Sequence, residues 1–121
     1  MNAMHTMNEI NNFFNTLPKW NVTEFCGYVP KTTFWRDFSI ADLFGDDEVK
    51  YTFKRAFNEW KYDAVYLTEL VMVLNHKSWE HYDRGNTSLS QLYVKFYQQA
   101  DAYACENLKG EDLSYYLDVT D

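Results

Sequence analysis

Residues 63–82, DAVYLTELVMVLNHKSWEHY, decide the fold. In the first half of this stretch Val65, Tyr66, Leu67, Leu70, Val71, Met72, Val73 and Leu74 cover most of a helix's circumference, and Trp79 follows. A helix apolar on nearly every side is one that other helices enclose. Asp63 stands where an N-cap acceptor belongs. A central helix over about 63–82 must therefore be wrapped, and the rest of the chain has to supply the wrapping.

On the amino-terminal side, Val49, Phe53, Ala56, Phe57 and Trp60 recur at intervals of three and four, which predicts a helix with one apolar face. Lys50, Lys54, Arg55 and Glu59 take its opposite face, and Asp46 and Asp47 open it where acids favour the helix dipole. Before it, Ser39 with Asp42 reads as a capping box for a short helix over 39–44 that Gly45 stops. On the carboxyl side, Gly85 and Asn86 break the chain, and Ser88 with Gln91 forms a second capping-box pair. Leu89, Leu92, Tyr93, Phe96, Ala100, Tyr103, Ala104 and Leu108 then keep helical period until Gly110, read as a C-cap. A last helix is expected over 111–117.

Further out, from Asn2 to Phe14, the spacing of Met7, Ile10, Phe13 and Phe14 suits a short amphipathic helix that Pro18 ends. Residues 19–36 hold Gly27 and Pro30 among Trp20, Phe25, Tyr28, Phe34 and Trp35, an irregular arm that lays aromatics over the core. With 121 residues there is chain for one core, and four Gly and two Pro leave few of the turns a many-stranded fold needs. The expectation is an all-α, single-domain bundle of four or five helices spanning 1–121. Residues 1–36 would be an amino-terminal helix and aromatic-rich arm, and 37–121 the helical core.

The chemistry is sparse. His76 and Glu80 stand four apart on a helix and His81 follows, a spacing that offers weak metal candidates. The zinc-protease signature instead needs two His four apart with Glu directly after the first. The carboxylate pairs Asp46-Asp47-Glu48, Glu111-Asp112 and Asp118 with Asp121 read as helix-start residues, not as an acid and base converging on a cleft. Cys26 and Cys105 have no CxxC spacing or adjacent His, so both read as reduced thiols. No motif implies a cofactor. The polar segment 1–16 predicts no secretory leader, and the longest apolar run, Leu70 to Leu74, is far short of the ~20 residues a bilayer needs. A cytoplasmic protein without a membrane segment is expected.

Charge and aromatics point to binding. The chain carries nine Phe, ten Tyr and four Trp at a net charge of -7. Residues 37–63 hold four basic and seven acidic residues, and 101–121 hold one basic and six acidic. Such a surface repels a phosphate backbone, so direct nucleic-acid binding is disfavoured and a basic protein partner is favoured. Asp46, Asp47, Glu48, Glu111, Asp112, Asp118 and Asp121 are the candidate electrostatic contacts, with Tyr51 and Tyr115 or Tyr116 as aromatic anchors. Tyr51, Tyr62, Tyr82 and Tyr97 fall off the main apolar faces and are candidates for an exposed surface.

Four blocks carry a likeness: 33–45 (TFWRDFSIADLFG), 53–61 (FKRAFNEWK), 66–75 (YLTELVMVLN) and 100–116 (ADAYACENLKGEDLSYY). Over about 33–121 the chain resembles a group of small uncharacterised proteins encoded on bacterial conjugative elements and phages. The resemblance supplies no catalytic residues. It implies the setting of a mobile element, whose small proteins control transfer or disarm host defences. The expected function is a non-enzymatic acidic interaction protein, in its sharpest form an anti-CRISPR-like inhibitor that occupies the basic nucleic-acid surface of a defence nuclease. The alternatives are a small helical accessory or assembly protein, with a homodimer possible, and a metal-dependent enzyme using His76, Glu80 and His81.

Overall fold

The computed structural model describes residues 29–120, and the expected helix over 2–14 lies outside them, as does most of the aromatic arm. Among the described residues the architecture is all-helical: α1 (Phe34–Asp42), α2 (Asp46–Trp60), α3 (Ala64–Asp83), α4 (Thr87–Asn107) and α5 (Gly110–Thr120). Helix α3 is the central element, packed against all four others. Every residue from Leu67 to Leu74 is buried, which is what its all-round apolar pattern demanded. Asp63 caps it, its Oδ1 accepting the Tyr66 N–H at 3.0 Å.

Around α3 the core is aromatic. Phe53 of α2 stacks on Phe96 of α4 with ring centroids 4.2 Å apart, and Phe57 meets Tyr103 edge to face. Phe38 of α1 meets Tyr93 of α4 edge to face at 5.6 Å. Gly45 stands between α1 and α2 at φ 105, a backbone region open to glycine, and donates its N–H to Ala41 O at 3.2 Å. Two residues, Leu108 and Lys109, link α4 to α5, which runs back along it and lies against α3 and α4 together.

Several local expectations are corrected. The aromatic arm ends at Thr33 because Phe34 and Phe38, one turn apart with Ala41 beyond, form an apolar stripe that the core takes in, so 34–36 are helical. Ser39 is therefore no cap: it is buried inside α1, and Thr33 holds the N-cap position, its hydroxyl donating to Asp37 at 3.0 Å. Ser88 is likewise displaced as a cap, by Asn86, whose N–H donates to His81 O at 2.8 Å and fixes the turn two residues earlier. The Ser88 hydroxyl instead donates to Asp46 Oδ2 at 2.9 Å. Gly110 does not close α4; the buried Leu108 turns extended and ends it, and Gly110, at φ 56, starts α5. Trp79, counted with the apolar set of the central helix, is 58% exposed.

One buried acid ties the incoming chain to the bundle. Glu69, fully buried on α3, accepts the N–H of Lys31 at 2.6 Å, the N–H of Thr32 at 2.9 Å and the Thr32 hydroxyl. A carboxylate with several donors offsets its desolvation through charge-assisted bonds. Glu69→Gln keeps the shape but removes the charge and turns one acceptor into a donor aimed at another donor. It should destabilise the protein by about 1–3 kcal/mol in urea unfolding. Hydrogen exchange at Lys31 and Thr32 should speed up more than exchange in α4.

Candidate functional site

The densest polar cluster among the described residues is built on α3 where its apolar face runs out. Leu70, Leu74, Lys77 and His81 follow one another at spacings of three and four, so the last two continue a buried stripe with polar groups. Lys77 is 1% exposed, and its ammonium lies 2.6 Å from Asp42 Oδ2 on α1, 2.7 Å from Glu80 Oε2 and 3.2 Å from the Ser39 hydroxyl. The faces of Trp35 and Tyr93 lie 5.7 and 6.0 Å from it. All three N–H bonds of the ammonium have an acceptor, and the aromatic faces complete its surroundings.

Asp42 is the hub. Its Oδ2 also meets His81 Nε2 at 2.8 Å, and its Oδ1 accepts the Tyr93 hydroxyl at 2.6 Å. His81 stacks flat on the Tyr93 ring, and its Nδ1 lies 3.1 Å from the Asn86 amide nitrogen. Both ring nitrogens of His81 are thus engaged, Nε2 by Asp42 and Nδ1 by Asn86. Burial by itself would raise the Asp42 carboxyl. The His81 hydrogen bond, the Lys77 charge and hydrogen bond, and the Tyr93 hydrogen bond outweigh it and hold the pKa below the ordinary value. The Tyr93 hydroxyl is pushed far up, first by burial and then by the Asp42 charge, so it stays a donor.

The metal candidates meet this cluster only in part. Asp42, Glu80 and His81 bring ligand atoms within 4.8 Å of one another, whereas His76 stands apart, its Nε2 3.9 Å from Glu80 Oε1. Lys77 sits among those ligand atoms and already takes the carboxylate oxygens a divalent ion would use. The donor set thus fits a buried ammonium and not a metal. A pocket of about 170 Å³ opens on the cluster between Leu43, Arg84 and Leu89. It presents polar groups that are already paired with one another.

The acidic candidates fall into two groups far apart. Asp46, Asp47 and Glu48 form the first turn of α2, and Tyr51 follows one turn on, 59% exposed, with the Arg55 guanidinium 5.8 Å over its ring. Asp46 accepts from Ser88, and Asp47 faces Lys50 at 4.0 Å. Glu111 and Asp112 form the first turn of α5, at the other end of α4, whose 21 residues span ~30 Å. Asp118 is exposed near the end of α5, and Asp121 lies outside the described residues. No described cation pairs with Glu111, Asp112 or Asp118.

Tyr116 is corrected as an anchor: it is 1% exposed and donates its hydroxyl to Asp101, because the apolar side of α5 faces the bundle. Tyr115 is half-buried, its hydroxyl oxygen enclosed without a hydrogen-bond partner among the described residues. Tyr62 and Tyr82 are exposed as expected, and Tyr97 is half-buried. Cys105 is exposed on α4; partial burial and then the Asp101 carboxylate push its thiol up, away from reactive thiolate. Among the described residues no helix is long and apolar enough to cross a membrane.

Sequence reasoning missed Lys77 and Tyr93 and assigned Asp42 to a cap. The available signal was Lys77 and His81 continuing the Leu70, Leu74 stripe. No protein-family profile, curated protein or solved structure matches the chain.

Two outcomes are expected from the cluster. Asp42→Asn should cost about 3–5 kcal/mol near neutral pH, the usual loss when one partner of a buried ion pair is removed. Because the folded pKa of Asp42 is depressed, its contribution is complete above the unfolded value of about 3.9 and is lost as pH falls through the lower folded value. The gap between wild type and Asp42→Asn in urea unfolding should be constant above about pH 5 and close as acid is added. Separately, zinc or manganese should leave the melting temperature of the wild-type chain unchanged, since Lys77 holds the site.

Proposed function

We propose that this protein is a non-enzymatic interaction protein that docks an acidic, aromatic-bearing surface on a basic protein partner. The observation that carries the reading is the row of exposed carboxylates on α5, Glu111, Asp112 and Asp118, which no described cation neutralises. Acids left unpaired at a surface compete for Lys and Arg that otherwise meet phosphates, and they steer association over distance. The α2 group, Asp46, Asp47, Glu48 and Tyr51, adds a second contact of mixed charge at the opposite end.

In its sharpest form the partner is a host defence nuclease, such as a CRISPR effector, whose basic nucleic-acid channel the protein occupies. The resemblance to proteins of conjugative elements and phages supports that setting. The separation of the two acidic groups, ~30 Å along α4, matches a partner that offers an extended basic surface. A small assembly protein is the second reading, for which the exposed aromatics Tyr62, Trp79 and Tyr82 would serve as subunit contacts.

The test is retention of a purified CRISPR nuclease with guide by the immobilised protein at low and moderate salt. Salt-sensitive retention with loss of target-DNA binding is expected. Glu111→Lys with Asp112→Lys should weaken it at least ~10-fold and flatten its salt dependence. Asp46→Lys with Asp47→Lys should act less strongly, because Lys50 and Ser88 already engage those acids. Unchanged affinity and salt response in the α5 variant would overturn the reading. So would a stable homodimer that retains nothing.

A further inference from the structure

Helices α2 and α4 run parallel, because their contacts ascend together: Asp46 with Ser88, Phe53 with Phe96, Phe57 with Tyr103. In a parallel pair, the residue after a seam position on one helix and the residue before it on the other point to the same side. Around the stacked Phe53 and Phe96 those residues are Lys54 and Lys95, both exposed. Thr52 and Tyr97, on the other side, are buried and half-buried. Lys50 stands one turn before Lys54, and Lys61 two turns after it, its ammonium 5.6 Å from the Phe57 and Tyr103 rings at the seam. The outer side of the α2–α4 seam is therefore a row of lysines. Acids mark only its ends, Asp46 and Asp47 at the start and Glu106 one turn beyond Tyr103. Glu48, Arg55 and Glu59 fall on the edge of α2 turned away from α4. Lys50 has Asp47 at 4.0 Å, and among the described residues no carboxylate pairs with Lys54, Lys61 or Lys95.

Helix α5 carries the complementary pattern. Tyr116 is buried and Leu113 and Thr120 are half-buried on its inner side, so Glu111 and Asp118, seven positions apart, share the outer side. Asp112 stands at the edge, α5 itself holds no Lys or Arg, and Lys109 precedes it. Seven helical residues rise ~10.5 Å, the same rise that separates Lys54 from Lys61. One copy cannot bring the two rows together. Tyr116 holds α5 on the Asp101 side of α4, about 120° round that helix from Lys95. We propose that α5 of one copy lies along the lysine row of a second copy, Glu111 and Asp118 reaching Lys54, Lys61 and Lys95. Leu117, 42% exposed beside Asp118, and Tyr62, 81% exposed beside Lys61, add apolar surface to the contact. A nucleic-acid strand brings a charge at every nucleotide against a chain of net charge -7, whereas α5 presents a few carboxylates at the lysines' own spacing. Surface ion pairs are weak singly and screened by salt, so the association belongs to low ionic strength. It goes beyond the reading given above and uses the same α5 acids, so a copy held this way is not docked on the basic partner.

The test is sedimentation velocity of the full chain across protein concentration at low and moderate salt. Wild type should self-associate, at least ~10-fold more weakly at about 300 mM salt than at about 30 mM. Lys54→Glu with Lys95→Glu should abolish the association, and so should Glu111→Lys with Asp118→Lys; all four residues are exposed, so the fold is kept. Mixed in equal amounts, the two variants should associate again, since each row then faces opposite charge on the other chain. Both variants stay net negative, so overall attraction does not account for the recovery. A wild type still monomeric at about 1 mM in low salt would overturn the inference. So would association that survives in either variant, or a mixture that does not recover it. Retention of a single-stranded oligonucleotide by wild type but not by Lys54→Glu with Lys95→Glu would also overturn it, placing nucleic acid on the row. That variant leaves α5 intact and should still retain the nuclease. Retention of the nuclease by a chain that never self-associates would overturn this inference alone, and self-association without retention would overturn the earlier reading alone.

Discussion

The ammonium of Lys77 is buried between Asp42 and Glu80, and the arrangement of α1, α3 and α4 depends on it. Removing a charge from water costs several kcal/mol, so the site persists only if every partner is in place at once. Asp42 has to come from α1, the Tyr93 hydroxyl from α4, and His81 from the next turn of α3. A shift of α1 by one turn would leave Lys77 with Glu80 alone and Tyr93 without an acceptor. An apolar core tolerates such slips better than a polar network does, because hydrophobic contact is non-directional. The cluster therefore fixes the register of three helices that the surrounding Phe and Leu side chains only hold together.

That constraint divides the surface of α3. The side carrying Glu69, Lys77 and Glu80 is committed to α1 and to the segment entering at Lys31 and Thr32. The opposite side, with Ser78, Trp79 and Tyr82, faces the furrow toward α4. Only α5 covers that furrow among the described helices, and with 11 residues it stops short. Trp79 and Tyr82 are consequently left exposed beyond the end of α5. The polar cluster and the open furrow sit on opposite faces of one helix, which is why a substitution in either can be read without disturbing the other.

How much of this was legible follows from the range of each signal. The enclosure of α3 and the Asp63 cap are local, carried by side chains within a few turns, and the sequence shows them directly. Ser39 and Ser88 carry the right cap chemistry in the wrong place. Burial of Phe34 and Phe38 pulls the start of α1 forward, and Asn86, fastened to His81, moves the start of α4. Tertiary packing overrides capping preference there, since a cap is worth about 1 kcal/mol and a buried Phe more. Lys77, Asp42 and Tyr93 are separated by up to 51 positions, so no local spacing announces their meeting. Trp79 belongs to a furrow whose extent depends on the length of α5, and periodicity along α3 carries no information about that.

The placement of acid on α5 bears on what it is for. Glu111 and Asp112 stand in the first turn, where the helix dipole welcomes them, and solubility alone would account for both. Asp118 stands near the opposite end, where the dipole opposes a carboxylate by a few tenths of a kcal/mol, and no basic residue occupies the last turn to offset it. The α2 acids are handled differently, with Ser88 and Lys50 beside them. A chain that needed only net charge had many exposed positions on α4, such as Gln91, Gln98 and Gln99, at which an acid costs nothing. An uncompensated carboxylate held at the unfavourable end of a short helix is electrostatic free energy left available to a cation brought from outside.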